Sequence, residues 1–338
     1  YLLGTHGTCC DGINSTYNFK GGFDGKNHTI SGVYINGSGD YQGLFGYVNA
    51  ATTIKDLNLA KSYIKGNENV GGICGMLMNL CKIENCRSAA TVHGEYSVGG
   101  LCGRASSDNA SILNCQNEGT VTGSERVGGI VGNTSGTVSG CRNIETVQGS
   151  VGSRIIGGIC GNSSSAVTNV YNTGNISGDT NIGGICGVLN GLTTKTGTLA
   201  GAYNSGNVTG LPNNAAICAV TNEYCQLSNC YYLDSSSASG IGYNPGNLTT
   251  ASKSAAQFAS GEVAYLLGTA FGQTLNTDAY PVFRSSDGSN AVYRILYMNE
   301  TQQHAAQYYN AETTISAAGI STPSKSGHYF SHWDGLPS

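Results

Sequence analysis

Apolar residues in this chain come in short bursts, and the bursts return at a fixed interval. The phrase Val70-Gly71-Gly72-Ile73-Cys74-Gly75 comes back as Val98-Gly99-Gly100-Leu101-Cys102-Gly103 and Val127-Gly128-Gly129-Ile130-Val131-Gly132. It comes back again as Ile156-Gly157-Gly158-Ile159-Cys160-Gly161 and Ile182-Gly183-Gly184-Ile185-Cys186-Gly187. The interval is about 28 residues, a length typical of stacked repeat units. A looser copy precedes these, Tyr41-Gln42-Gly43-Leu44-Phe45-Gly46, and a decayed one follows, Asn214-Ala215-Ala216-Ile217-Cys218-Ala219. Each copy is trailed by a second apolar piece, such as Ile83-Glu84-Asn85-Cys86 or Ile112-Leu113-Asn114-Cys115. A third piece closes the unit with an apolar residue two places before a glycine: Val92, Val121, Val147, Ile176 and Val208.

Three short apolar pieces bounded by Gly, Asn, Ser and Thr read as three strands with turns between them. Three strands in a coil of this length predict an all-β chain wound as a parallel β-helix (β-solenoid) of about seven coils. Coils stacked at roughly 4.8 Å make a rod of about 34 Å. One such coil cannot bury its own apolar face, so the core forms only between neighbours. A propeller ranks second, because its blades need roughly 40 to 50 residues each.

The predicted domains are a solenoid over 1–235, a linker and helix-containing small mixed cap over 236–288, and a C-terminal module over 289–338. Residues 19–35 supply a first coil and its cap around an Asp24-Gly25 turn. Such a cap is needed because an open solenoid end presents an unpaired edge. Residues 236–253 are rich in Ser, Gly and Asn and read as linker. A helix is predicted over 254–267, weakened at Gly261 and stopped by Gly268. Val292-Tyr293-Arg294-Ile295-Leu296-Tyr297 reads as a strand. The chain, opening at Tyr1 and stopping after Ser338, reads as a piece of a longer protein.

Composition narrows the partners. Charged residues make up 11% of the 338, and the net charge is −4. Nucleic acid is excluded as a partner on this reading, because phosphate binding needs a basic stripe. No apolar run approaches the length of a membrane span. The 13 cysteines divide by position. Cys74, Cys102, Cys160, Cys186 and Cys218 share a slot with Phe45 and Val131, while Cys86, Cys115 and Cys141 share one with Val170 and Ala202. A slot that accepts Cys, Val, Phe and Ala is apolar, so these read as buried free thiols, with disulfides between facing rungs as the alternative. Cys9, Cys10, Cys81 and Cys225 lie off the columns and are the better disulfide candidates.

Two resemblances follow from the phrases themselves. Gly-Gly-Ile-Cys-Gly, Asn-Cys-x-Asn-x-Gly-x-Val-x-Gly and Phe23-Asp24-Gly25-Lys26-Asn27-His28-Thr29-Ile30-Ser31-Gly32 resemble the GLUG repeats of bacterial surface proteins. Such repeats also flank the peptidase unit of some immunoglobulin-A-cleaving metalloproteases. The likeness spans about residues 19–235 and implies a β-helical scaffold at the cell surface. It departs from the family pattern at Ala215 and Ala216 and in its cysteines. It implies no protease, since His-Glu-x-x-His occurs nowhere. From Pro323 to Trp333 the chain resembles the end of a Listeria–Bacteroides (internalin B-type) repeat, a β-grasp-like module, which implies a stalk or adhesion element.

Candidate chemistry is thin. Acids such as Asp24, Asp56, Glu84 and Glu118 fall at different repeat positions, and Glu84 has Leu113, Ser139 and Thr168 at its equivalents. Paired carboxylates for glycosidic chemistry are therefore not expected. His6-Gly7-Thr8-Cys9-Cys10 is short of a four-ligand zinc set. A calcium ion at Asp24-Gly25-Lys26-Asn27 competes with plain turn chemistry. No metal or cofactor is expected. The most suggestive column follows the second phrase: Arg87, Gln116, Arg142, Tyr171, Tyr203 and Tyr231, with Tyr232 beside it. If the slot points outward, Tyr171, Tyr203, Tyr231 and Tyr232 form a stacking platform for sugar or protein; strand propensity alone also accounts for tyrosines there. The neighbouring column of Asn117, Asn143, Asn172 and Asn204 reads as a hydrogen-bonded ladder.

The expected protein is thus a non-catalytic, monomeric piece of an extracellular, cell-wall or cell-surface adhesin. Its partner would be a host extracellular protein, such as mucin or immunoglobulin, or a glycan. The competing readings are a spacer or accessory region of a surface peptidase or glycosidase, and a carbohydrate-active β-helix enzyme.

Overall fold

A computed structural model describes residues 18–210, 212–237, 239–311, 313, 315–324 and 332–334. Two compact units divide the chain, Tyr1–Ser252 and Lys253–Ser338.

The first unit is a parallel β-solenoid of about seven turns. One side is an eight-strand sheet built from Phe45–Val48, Cys74–Leu77, Cys102–Ala105, Val131–Thr134, Cys160–Ser163, Cys186–Leu189, Cys218–Val220 and Ile241–Tyr243. The first seven are the seven copies of the Gly-Gly phrase. The eighth lies in the stretch 236–253 expected to be linker, and pairs parallel through Cys218↔Ile241. Its coil is shorter than the period, which hid it from the repeat. The other flanks of each coil belong to a second sheet of 21 strands.

Strict register turns repeat positions into columns. Phe45, Cys74, Cys102, Val131, Cys160, Cys186, Cys218 and Ile241 stand in one line through the core. All eleven described cysteines are buried and free, Cys81 and Cys225 among them. The disulfide expectation for those two is corrected. Cys225 Sγ instead donates to the Leu189 carbonyl at 3.2 Å. Cys9 and Cys10 lie outside the described residues.

The Asn-Cys phrase is a corner. Asn85, Asn114, Asn169 and Asn229 take φ between 50° and 53°, and Gly140 and Gly201 fill the same slot at 65° and 61°. This left-handed turn suits Asn and Gly. The thiol that follows donates to the carbonyl two residues back: Cys115 Sγ to Leu113 O at 3.1 Å and Cys141 Sγ to Ser139 O at 3.3 Å. Cysteine therefore serves as a small hydrophobe that also supplies a weak donor where the turn leaves a carbonyl.

The predicted asparagine ladder is present and buried. Asn117 Nδ2 donates to Asn143 Oδ1, Asn143 to Asn172 and Asn172 to Asn204, each at 2.7 Å. The second Nδ2 hydrogen of each goes to its own chain two residues on, as in Asn172 to Gly174 O at 2.8 Å. Each second glycine of the Gly-Gly phrase leaves the room: a Cβ on Gly129 would meet Asn143 Cγ at 2.5 Å. Ser88 heads the column, in register with Asn117, and its buried Oγ has no hydrogen-bond partner. Ser88→Asn should extend the ladder by one member and stabilise the fold by about 1 kcal/mol. A urea-unfolding midpoint that rises checks it.

The start of the array is a first coil, as expected, and the chain continues through Asp24-Gly25 within one strand. Phe23–Ser31 runs parallel to Thr53–Lys65 with a bulge between Asp24 and His28, where Lys26 and Asn27 take positive φ. Phe19 and Phe23 pack on Phe45 at ring-centroid distances of 4.8 and 5.2 Å.

In the second unit the expected helix is two. Ala255–Ala259 opens on a capping box, Ser254 with Gln257. Gly261, at φ 88°, breaks it from Glu262–Leu267, and Gly268 ends that helix. A hairpin of Val292–Asn299 and Gln302–Asn310 follows. Asn310 Nδ2 donates to Gln273 O and Ala291 O at 2.7 and 2.9 Å, and Arg294 lies over the Tyr265 ring at 4.7 Å. The boundary drawn at 288/289 thus falls inside one compact unit. Lys325 to Ser331, the middle of the Pro323–Trp333 motif, lie outside the described residues.

Candidate functional site

The tyrosine column sits at the end of the second phrase, in register from Arg87 through Gln116 and Arg142 to Tyr171, Tyr203 and Tyr231. The structure does not present it as an open platform. Tyr171 is 4% exposed and Tyr203 0%, while Tyr231 and Tyr232 are half-buried. The reason is the ladder itself. Rungs about 4.8 Å apart bring identical rings face to face, and Tyr171 and Tyr203 stack at 5.0 Å with their planes 7° apart. The Arg142 guanidinium stands over Tyr171, 5.9 Å from its centroid, and its Nε donates to Gln116 Oε1 at 2.5 Å. Gln116 and Arg87 both donate to Glu118. At Tyr171 and Tyr203 the ring faces that a sugar would need are already occupied.

An exposed aromatic stack stands elsewhere, on the first three coils. The third phrase there reads Tyr34-Ile35-Asn36 and Tyr63-Ile64-Lys65, in register with Thr91-Val92-His93. The isoleucines and valine point inward and are buried. Alternation then sends Tyr34, Asn36, Tyr63, Lys65 and His93 outward. Tyr34 stacks on Tyr63 at 5.4 Å, 24° from parallel, and Tyr63 meets the His93 ring at 5.3 Å. Tyr34 is 71% exposed, and its hydroxyl accepts from Asn36 Nδ2 at 3.2 Å. Reading the sequence for columns after the second phrase passed over these residues. The signal that finds them is the same alternation applied to the third phrase.

Burial, with repulsion from Lys65 second, holds His93 below its ordinary value. The folded chain therefore resists its protonation, and the His93 contribution to stability is lost as pH falls below about 6.5. An NMR titration should place the His93 midpoint below that value.

The acids do not gather. Glu84, Leu113, Ser139 and Thr168 share one column, as expected. Cations answer several carboxylates: Lys55 lies 3.3 Å from Asp24 and 3.6 Å from Asp56, Arg154 2.6 Å from Glu125, and Lys195 2.8 Å from Asp108. At the calcium candidate, Asp24 accepts from the Lys26 amide at 2.9 Å and faces the Lys55 ammonium, so turn chemistry accounts for it. His6, Cys9 and Cys10 lie outside the described residues. Among the described residues no three His, Cys, Asp or Glu side chains come together as a metal site. None of the described helices is long and apolar enough to cross a membrane.

Three comparisons bear on this scaffold. Residues 94–122 match the model of the GLUG motif. Halomucin of Haloquadratum walsbyi (strain DSM 16790 / HBSQ001) is 33% identical over 91 residues, 27% of this chain; the chain spans 1% of that protein's length. The crystal structure of a proposed immunoglobulin A1 protease from Bacteroides ovatus superposes with a TM-score of 0.51 over 80% of this chain and 79% of that one. At 19% identity that likeness concerns the fold. The period, the Gly-Gly and Asn-Cys corners and the motif match converge: the chain carries GLUG repeats, wound as a parallel β-solenoid.

Proposed function

We infer that this chain is a non-catalytic, monomeric binding region of an extracellular surface protein, whose solenoid unit offers its outer columns to host material. The observation that carries the reading is the Tyr34–Tyr63–His93 stack, held outward on a scaffold whose inner columns are closed. An aromatic left this open on a rigid sheet is a ready contact for a partner. GLUG repeats and the likeness to halomucin support a surface setting. The pairing of Asp24, Asp56, Asp108 and Glu125 with cations supports a non-catalytic role. The C-terminal hairpin is read as part of an internalin B-type repeat, a stalk or adhesion element.

A second reading has its own support, the fold match to a proposed immunoglobulin A1 protease. On it the rod is an accessory region that positions a peptidase domain lying elsewhere. Incubating the purified chain with immobilised mucins and immunoglobulins, and separately with a protein-free glycan array, tests both. Saturable binding in either arm is expected for the adhesin. Silence in both transfers the case to the accessory rod.

A further inference from the structure

We propose that Tyr34, Tyr63 and Lys65 form a binding site for an acidic saccharide, with Asn36 and His93 as flanking polar contacts. This rests on the binding role inferred above and assigns its ligand.

The stack ends in one open ring face, the contact a sugar unit needs. Tyr34 ends the ring column and is 71% exposed, so its outer face is open, in contrast to Tyr203. Tyr63 lies beneath Tyr34 at 5.4 Å and meets the His93 ring at 5.3 Å, so it supports Tyr34 from below and the open face belongs to Tyr34. The polar groups stand at the same rung spacing one column away, because Asn36, Lys65 and His93 are in register. They reach hydroxyls and carboxylates beside the rings.

The charge selects the class. Lys65 is exposed, and no described ion pair holds it, in contrast to Lys55 and Lys195. It lies beside Tyr63 on the same outward face. An ammonium with no acid of its own, next to an aromatic stack, suits a carboxylate-bearing sugar. A folded protein partner is a poorer fit. Stable protein interfaces bury about 800 Å² per partner around an apolar centre, and here the tyrosines are flanked by Asn36, Lys65, Thr91 and His93.

The full chain would be titrated with hyaluronate, polygalacturonate and sialyllactose, with a neutral cello-oligosaccharide and poly-L-glutamate beside them. Tyr34→Ala, Lys65→Gln and the distant, exposed Tyr243→Ala (59% exposed) would be run in parallel, with circular dichroism to confirm the fold. At least one acidic saccharide should bind more tightly than the neutral sugar and the polyglutamate. Tyr34→Ala and Lys65→Gln should each weaken that binding by about tenfold, and Tyr243→Ala should leave it unchanged. Silence on all three acidic saccharides overturns the proposal. So does equal binding to polyglutamate that survives Tyr34→Ala, which is charge alone. Retained adhesion to mucin or immunoglobulin by a Tyr34→Ala/Tyr63→Ala double variant removes this site while leaving the adhesin reading intact.

Discussion

Gly128→Ala should disrupt the middle of the rod, at a cost of about 4 kcal/mol or more. A Cβ at that position points into backbone on its own coil, at Val131 O, and on the next, 2.7 Å from Ile159 O and 2.8 Å from Gly161 N. Neither coil can yield without losing ladder hydrogen bonds such as Val131 N to Ile159 O at 3.0 Å. Hydrogen exchange should show protection lost first in the coils around Gly128. The seventh copy departs from the rule, with Ala215 and Ala216 in the glycine slots, and the rung that follows it is the shortened one at Ile241–Tyr243. An alanine variant at Gly128 as stable as the parent would mean the coils slide apart more easily than their register implies.

Asn143→Leu should be the most damaging change among the side chains of the polar column. It removes the acceptor for Asn117, the donor to Asn172 and the donor to the Glu145 carbonyl. All lie in a column where Asn117, Asn143 and Asn172 are 0% exposed. Three groups left unpaired at about 1–3 kcal/mol each give a loss of about 3–9 kcal/mol, read as a fall in the urea-unfolding midpoint. Val170→Ala, one column away, trims an apolar side chain to the residue that Ala202 already is and should cost less. A small effect at Asn143 would show that water reaches the ladder.

These two sites differ in how readily they could be read. The ladder and the glycine columns were legible because the chain repeats: Asn117, Asn143, Asn172 and Asn204 each stand two places after the end of the second phrase, at Cys115, Cys141, Val170 and Ala202, and a residue that recurs in a solenoid touches its own copies. The inward slots were legible for the same reason, through the exchange of Cys with Val, Phe and Ala. The corner asparagines, too, announce themselves, since few residues tolerate φ near 50°.

Exposure was harder. Alternation assigns a side chain to one side of a strand and does not say whether that side is open. Tyr203 follows the inward Ala202 and precedes the ladder residue Asn204, and all three are buried. Tyr34 and Tyr63 occupy a slot of equal parity, and there Tyr34 stays open and Tyr63 is half-buried. What separates them is the stack: Tyr203 has ring neighbours in register before and after it, whereas Tyr34 heads its column. The eighth rung was hidden by its shortened spacing. The single unit from 253 onward was hidden because Asn310 reaches Gln273 across 37 residues, a contact that no local pattern encodes.

The sequence by itself determined the coil, its period, its register and the identity of the core columns, because each of these is a nearest-neighbour property of a repeat. Which columns face water was decided only by the tertiary structure. Exposure depends on what lies over a residue, and the ring and guanidinium that cover Tyr171 and Tyr203 take their places only when the coils stack. The inner scaffold was therefore legible in the letters, and the binding face was legible only in the fold.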